Sequence, residues 1–224
     1  MDVLITGSTG MVGKSVLYQC IEDDRVKNIV LINRLPVDLK NEKITELIIE
    51  DFLNIGELKS KINNCDACFH CMGITSFGQK SDYYYKVTFE MTKVLTDLVY
   101  EINPNAVMTY VSGEGTSTKE NSNIPWANVK GKTENYILNK GLKDAYMIRL
   151  GLLIPENDIK AKTKLYNLFY TLMKPLYPLM KLLPTITTSS KLGLAMINCL
   201  YFPLKNKYLD NKKINNLCKI HLKD

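Results

Sequence analysis

Three glycines spaced three apart, Gly7, Gly10 and Gly13, follow directly on the apolar run Val3-Leu4-Ile5-Thr6. In a strand–turn–helix setting each has its own task. The first allows a tight turn off the strand, the second lets the backbone approach a pyrophosphate, and the third lets the helix pack close to the strand. Lys14 to Cys20 read as the start of that helix, whose N-terminus offers free N–H groups and a partial positive charge to phosphate. Gly7, Thr9, Gly10, Met11, Val12 and Gly13 are therefore the candidate phosphate-binding residues. The plainer reading of the same residues is a glycine-rich turn that only joins strand to helix.

The end of the second apolar run, Ile29-Val30-Leu31-Ile32-Asn33-Arg34, is where a dinucleotide fold meets the adenosine ribose. An acid there accepts hydrogen bonds from a free 2′-hydroxyl, and an arginine accommodates a 2′-phosphate. Arg34, with no acid before Asp38, favours NADP over NAD; stacking of its guanidinium on adenine is the alternative role. Cys65, Cys68 and Cys71 beside His70 suggest a metal site at first sight. Strand alternation across this segment sends Cys65 and Cys71 to one face and Cys68 to the other, which excludes a common ion.

These residues need a framework. Strands are expected at 2–6, 28–33, 44–49, 66–71, 106–111 and 145–150, with helices near 12–22, 54–62, 81–101 and 126–140. The alternation predicts an α/β fold with a doubly wound parallel sheet and right-handed crossovers. The 224 residues are expected to form one domain, 1–224, with a small helical substrate side at about 150–224. A core strand at the very start leaves no room for a signal peptide, and six cysteines then read as reduced thiols in a cytoplasmic protein.

Charge is uneven: residues 160–224 hold 12 lysines against Asp210 and Asp224, within a chain of net charge +6. The same third contains an apolar, aromatic stretch from Leu165 to Leu183, broken by Pro175 and Pro178. A core helix with a kinked exit, a lid over an apolar substrate, and a lysine-rimmed peripheral contact with anionic lipid are its three readings. Nucleic acid is excluded as a partner, because no basic stripe is interleaved with aromatic platforms. Oligomeric state is left open.

Further segments carry a resemblance. Thr6-Gly7-Ser8-Thr9-Gly10-Met11-Val12-Gly13, Asp51-Phe52, Cys71-Met72-Gly73, Tyr110-Val111-Ser112-Gly113, Lys130-Gly131-Lys132-Thr133-Glu134 and Arg149-Leu150-Gly151 run through nearly the whole chain. Together they resemble the short-chain dehydrogenase/reductase superfamily, and within it the atypical NAD-dependent epimerase/dehydratase-like branch akin to Tat-interacting-protein-like oxidoreductases. The resemblance implies a Rossmann-type sheet and a nicotinamide cofactor. It places Asp51 and Phe52 at the adenine, and Cys71, Met72 and Gly73 along the cofactor.

The superfamily's chemistry uses a tyrosine as proton carrier, a lysine one turn later that lowers the tyrosine pKa and holds the nicotinamide ribose, and a serine or threonine that orients the carbonyl. Lys130 matches the lysine. Trp126 stands at the tyrosine position, and an indole N–H does not exchange protons near neutral pH. Ser112 lies in the expected turn, although the active hydroxyl often falls one residue later, at Gly113; Thr116 and Ser117 are substitutes. Tyr83, Tyr84, Tyr85, Tyr166 and Tyr170 are other tyrosines that could carry a proton. Two functions follow: an NADP-linked oxidoreductase or epimerase with a relocated proton donor, acting on a small or apolar substrate, or a catalytically idle dinucleotide sensor or docking protein.

Overall fold

The computed structural model describes residues 1–156 and 170–220. Its seven-stranded sheet has the order β3-β2-β1-β4-β5-β6-β9, and every pairing is parallel. The strands are β1 (Asp2–Thr6), β2 (Asn28–Asn33), β3 (Ile44–Ile48), β4 (Ala67–His70), β5 (Val107–Val111), β6 (Asp144–Ile148) and β9 (Tyr208–Leu209). A second, two-stranded sheet pairs β7 (Leu152–Ile154) with β8 (Ile186–Thr188). The first six strands fall where the apolar runs predict them; strands covered on both faces must be apolar nearly throughout, and only the edge strand β3 among these six has no buried residue.

Both faces are packed. On one, Val3, Ile5 and Phe69 meet α1 (Met11–Glu22), α6 (Ser189–Asn198) and α7 (Asn211–Leu217) through Leu17, Met196 and Ile214. On the other, Leu4, Cys68 and Met108 meet a 3₁₀ segment (Phe52–Lys61), α3 (Met91–Ile102) and α4 (Pro125–Leu138) through Phe52, Leu95 and Ile137. The helical stretch expected over 81–101 is a composite: α2 (Ser81–Tyr85), a π turn (Lys86–Glu90) and α3. Another short helix, α5 (Tyr177–Met180), lies in the C-terminal region.

The cysteine faces differ from expectation. β4 begins only at Ala67, so strand parity does not reach back to Cys65, which packs with Cys68 in one apolar cluster while Cys71 borders the other. Among the described residues no group of three or more His, Cys, Asp or Glu side chains is arranged to hold a metal ion.

His70, at the end of β4, is fully buried and joins the two layers. The Thr92 hydroxyl donates to the Thr88 carbonyl (2.7 Å), so Thr92 Oγ1 accepts from His70 Nε2–H (2.9 Å); Nδ1 then accepts from the Thr6 hydroxyl (2.6 Å). Tyr110 stacks on the ring at 5.4 Å. Burial pushes the imidazole pKa down to about 3. The unfolded chain therefore binds a proton below about pH 6.5 that the folded chain refuses until about pH 3. Stability should fall by ~1.4 kcal/mol per pH unit across that window. Urea midpoints at successive pH values check this: His70→Gln should flatten the slope, and an unchanged slope would assign it to other groups.

Candidate functional site

Strand order reverses between β1 and β4, and the carboxyl ends of the strands at such a switch point are where open α/β sheets take their ligands. Gly7, directly after β1, has φ +73°, and a Cβ on it would stand 2.6 Å from Met72 N and 2.7 Å from the Cys71 carbonyl carbon. The turn is thus left-handed and pressed against the end of β4, which only glycine permits. A Cβ on Gly13 would lie 2.2 Å from the Gly7 carbonyl oxygen, so the first turn of α1 rests directly on the turn after β1.

Gly10 is different. Its φ of −87° suits any residue, and a Cβ there would meet only Gly7 O, at 3.3 Å. It is the N-cap of α1, a position where glycine brings no capping side chain of its own, and the first turn carries no acid. A pyrophosphate fits such a cradle, since the helix dipole and the first N–H groups are left to an external anion.

At the adenosine end, Arg34 is exposed just past β2. The buried neighbour Asn33 organises this corner: Ser8 Oγ donates to Asn33 Oδ1 (3.0 Å), and Asn33 Nδ2 donates to Glu46 Oε1 (3.0 Å). Glu46 Oε1 also accepts from Val37 N (2.9 Å). The glycine loop, the end of β2 and β3 are held together by this chain of bonds, and Glu46 was not among the expected residues. Asp51 accepts from Leu53 N (3.0 Å) and starts the 3₁₀ segment; Phe52 is buried beneath it. Cys71 and Met72 are half-buried, and Gly73 is exposed.

The region where the resemblance places Lys130, Trp126 and Ser112 is built by α4 and the loops after β5 and β6. One helical turn sets Lys130 Nζ 5.9 Å from the Trp126 ring centroid. The ammonium donates to the Ser112 carbonyl, and a Cβ on Gly113 would lie 3.4 Å from it. Burial pushes the Lys130 pKa down to about 8, with the Glu134 carboxylate partly offsetting the fall. The loop after β5 lies so close to α4 that a Cβ on Gly131 would overlap Ser117 O at 1.7 Å.

Ser112 has a different role from the expected one. It is fully buried, and its hydroxyl donates to Glu134 Oε1 at 2.6 Å, so in this arrangement it has no proton to offer a substrate carbonyl. Glu134 is also fully buried and takes Arg149 Nη2 (2.5 Å) and Nε (3.1 Å). Arg149 donates further to Thr118 Oγ1 (2.6 Å) and stacks on Tyr208 at 4.3 Å. The cluster ties β5, α4 and β6 together beneath Lys130.

The other expected hydroxyls are mostly engaged. Thr116 donates to Gly113 O (2.8 Å), Tyr84 is buried, and Tyr85 OH accepts from Lys132 Nζ (2.7 Å). Tyr83 is exposed, the Tyr170 carbonyl accepts from Tyr177 OH (3.0 Å), and Tyr166 lies outside the described residues. Glu114 was missed by sequence reasoning. It is exposed beside Gly113, its N–H donates to Leu150 O (3.0 Å), and its Oε2 lies 2.7 Å from where a Cβ on Gly151 would stand.

Known proteins share this framework. Protein FMP52, mitochondrial, of Kluyveromyces lactis is 26% identical over 163 residues, covering 70% of this chain and 70% of that protein. A hybrid PKS-NRPS synthetase, pvhA, of Talaromyces variabilis is 21% identical over 155 residues, 66% of this chain but only 4% of the synthetase's length. The UDP-glucose 4-epimerase of Thermotoga maritima, solved with UDP-glucose, superposes with a TM-score of 0.67 at 14% identity, over 98% of this chain and 82% of that one. The model of the NAD dependent epimerase/dehydratase family matches residues 3–149, more than half of the chain, and the chain belongs to that family.

Proposed function

We propose that the chain binds a nicotinamide dinucleotide at the switch point and acts as an oxidoreductase or epimerase on a small-molecule substrate. The observation that carries this reading is the cradle of Gly7, Gly10 and Gly13: two glycines crowded by backbone and a third, with an open side-chain position, at the N-cap of α1. Family membership supports the same cofactor class. A bound nicotinamide supplies the hydride donor or acceptor.

The chain's own residues do the rest. Met11 and Val12 N–H groups receive the phosphates, and Lys130 holds the ribose hydroxyls. Trp126 walls the nicotinamide end with an apolar ring and takes no part in proton transfer. Proton movement falls to Lys130, whose pKa near 8 leaves both forms populated at neutral pH, and to the exposed carboxylate of Glu114. Residues 150–224 supply the substrate side. The second reading, a protein that binds the dinucleotide without turnover, is favoured by Trp126 at the tyrosine position and by the committed Ser112 hydroxyl.

Two results are expected. Lys130→Ala should weaken dinucleotide binding by ~1–3 kcal/mol in titration calorimetry. Wild-type turnover should carry an ionisation near pH 8 that Lys130→Met removes. A profile unchanged in that variant assigns the proton to another group. No binding of either NADH or NADPH by the wild type would overturn the proposal.

We also propose NADP as the preferred cofactor, on the exposed guanidinium of Arg34 past β2. NADPH should bind roughly ten- to a hundredfold more tightly than NADH, and Arg34→Ala should remove most of that difference. Equal wild-type affinities contradict the assignment.

A further inference from the structure

The C-terminal region presents an apolar face that no described residue covers. Leu172, Leu176, Leu179, Leu182 and Leu183 are exposed at 69%, 49%, 67%, 77% and 50%. They are carried by a helical turn ending at Met173, a 3₁₀ turn (Lys174–Leu176), α5 and the turn that follows it. Met173, Tyr177 and Met180 between them are half-buried, and Tyr177 OH donates to Tyr170 O (3.0 Å). The segment thus leaves its five leucines in water.

Its surroundings are basic. From residue 170 to 220 there are eight lysines and one acid, Asp210. Lys174 and Lys181 lie within the leucine segment itself and are exposed; Lys181 is paired with Glu156 at 2.6 Å, whereas Lys174 forms no salt bridge among the described residues. Asn211 Nδ2 donates to Thr185 O (2.8 Å), and Asn215 Nδ2 donates to Pro184 O (3.1 Å) and Ile186 O (2.8 Å). These bonds hold α7 at the end of the leucine segment, and α7 carries Lys212, with Lys219 just beyond it, both exposed. Among the described residues no helix is long and apolar enough to cross a membrane.

We propose that residues 172–183 dock onto an anionic lipid bilayer, the leucines entering the headgroup–acyl boundary and the lysines meeting the lipid phosphates and carboxylates. An exposed apolar side flanked by cations on a chain without a spanning helix matches interfacial binding. Lys181, Lys207 and Lys213 are paired with Glu156, Asp144 and Asp210, but Lys174, Lys212 and Lys219 form no salt bridge among the described residues, and these exposed cations beside the leucines select an anionic surface. The proposal is independent of the cofactor reading.

Cosedimentation of the full chain with vesicles tests it, comparing phosphatidylcholine alone with phosphatidylcholine containing phosphatidylserine. Binding should be confined to the anionic vesicles and should weaken as salt rises. The double variant Leu176→Glu, Leu179→Glu should lose roughly tenfold or more in vesicle binding, with its circular dichroism spectrum and thermal midpoint unchanged because both side chains are already exposed. Lys174→Glu should lower binding to anionic vesicles in the same direction. Absence of binding to anionic vesicles, or equal binding to both kinds, overturns the proposal. So does a dimer in sedimentation that the double-leucine variant breaks, which would assign the face to a second copy of the chain.

Discussion

Arg149→Ala is expected to cost about 3–5 kcal/mol of folding stability, the scale for stripping the partner from a buried charge. Glu134 has no exposed surface, and its acceptors are shared between Ser112 Oγ and two nitrogens of Arg149. Without the guanidinium, the carboxylate keeps only the Ser112 hydroxyl as a hydrogen-bond partner, and the Lys130 ammonium as its one remaining nearby cation among the described residues. Arg149 also holds Thr118 and stacks on Tyr208, so the loop after β5 and strand β9 loosen together. Glu134→Gln should cost less, because a neutral amide keeps the Ser112 bond and removes the charge that needs pairing. Urea denaturation of the two variants checks the order. A loss below ~1 kcal/mol for Arg149→Ala would show that the pair does not organise this end of the sheet.

Gly10→Val and Gly13→Val should fail in opposite ways. The Gly10 side-chain position is open apart from Gly7 O at 3.3 Å, and its backbone conformation is available to any residue. Valine there fills the space reserved for the pyrophosphate, so dinucleotide affinity should fall roughly a hundredfold or more while the circular dichroism spectrum stays near native. At Gly13 the added carbon would sit 2.2 Å from a backbone oxygen that has no room to move. That variant should lose ~1–3 kcal/mol or more of stability, because α1 must back away from β1. Calorimetric titration together with thermal melting separates the two. Surviving affinity in Gly10→Val would place the phosphate cradle elsewhere.

What sequence reasoning reached, and what it missed, follows the range of the interactions. The glycine loop is legible because turn, approach and helix start are all set within seven residues. β1, β2, β4, β5 and β6 are legible because burial on both faces makes them apolar runs, while the edge strand β3, with no buried residue, is legible from Ile44, Leu47 and Ile48 alone. β7, β8 and β9 are two or three residues long, too short for any periodicity. Their neighbour α7 is anchored by Asn211 and Asn215 bonding distant carbonyls, an interaction that leaves no apolar pattern. Ser112 was read as a substrate-orienting hydroxyl because of its place after β5. Its partner Glu134 lies 22 residues away on α4, and nothing local to either residue announces the pair. Cys65 was assigned to the wrong face because alternation holds only inside a strand, and β4 starts two residues later. Leu165 to Phe169, the first part of the apolar C-terminal stretch, lie outside the described residues; from Leu172 onward the exposed leucines speak against the first of its three readings, a core helix.

The most direct test of the central proposal is a crystal structure of the chain with NADPH bound. The account predicts the pyrophosphate on the N–H groups at Met11 and Val12, the 2′-phosphate beside Arg34, the nicotinamide ribose hydroxyls on Lys130 Nζ, and the nicotinamide ring against Trp126. A dinucleotide bound away from Gly10, or one whose nicotinamide ribose does not reach Lys130, would contradict it.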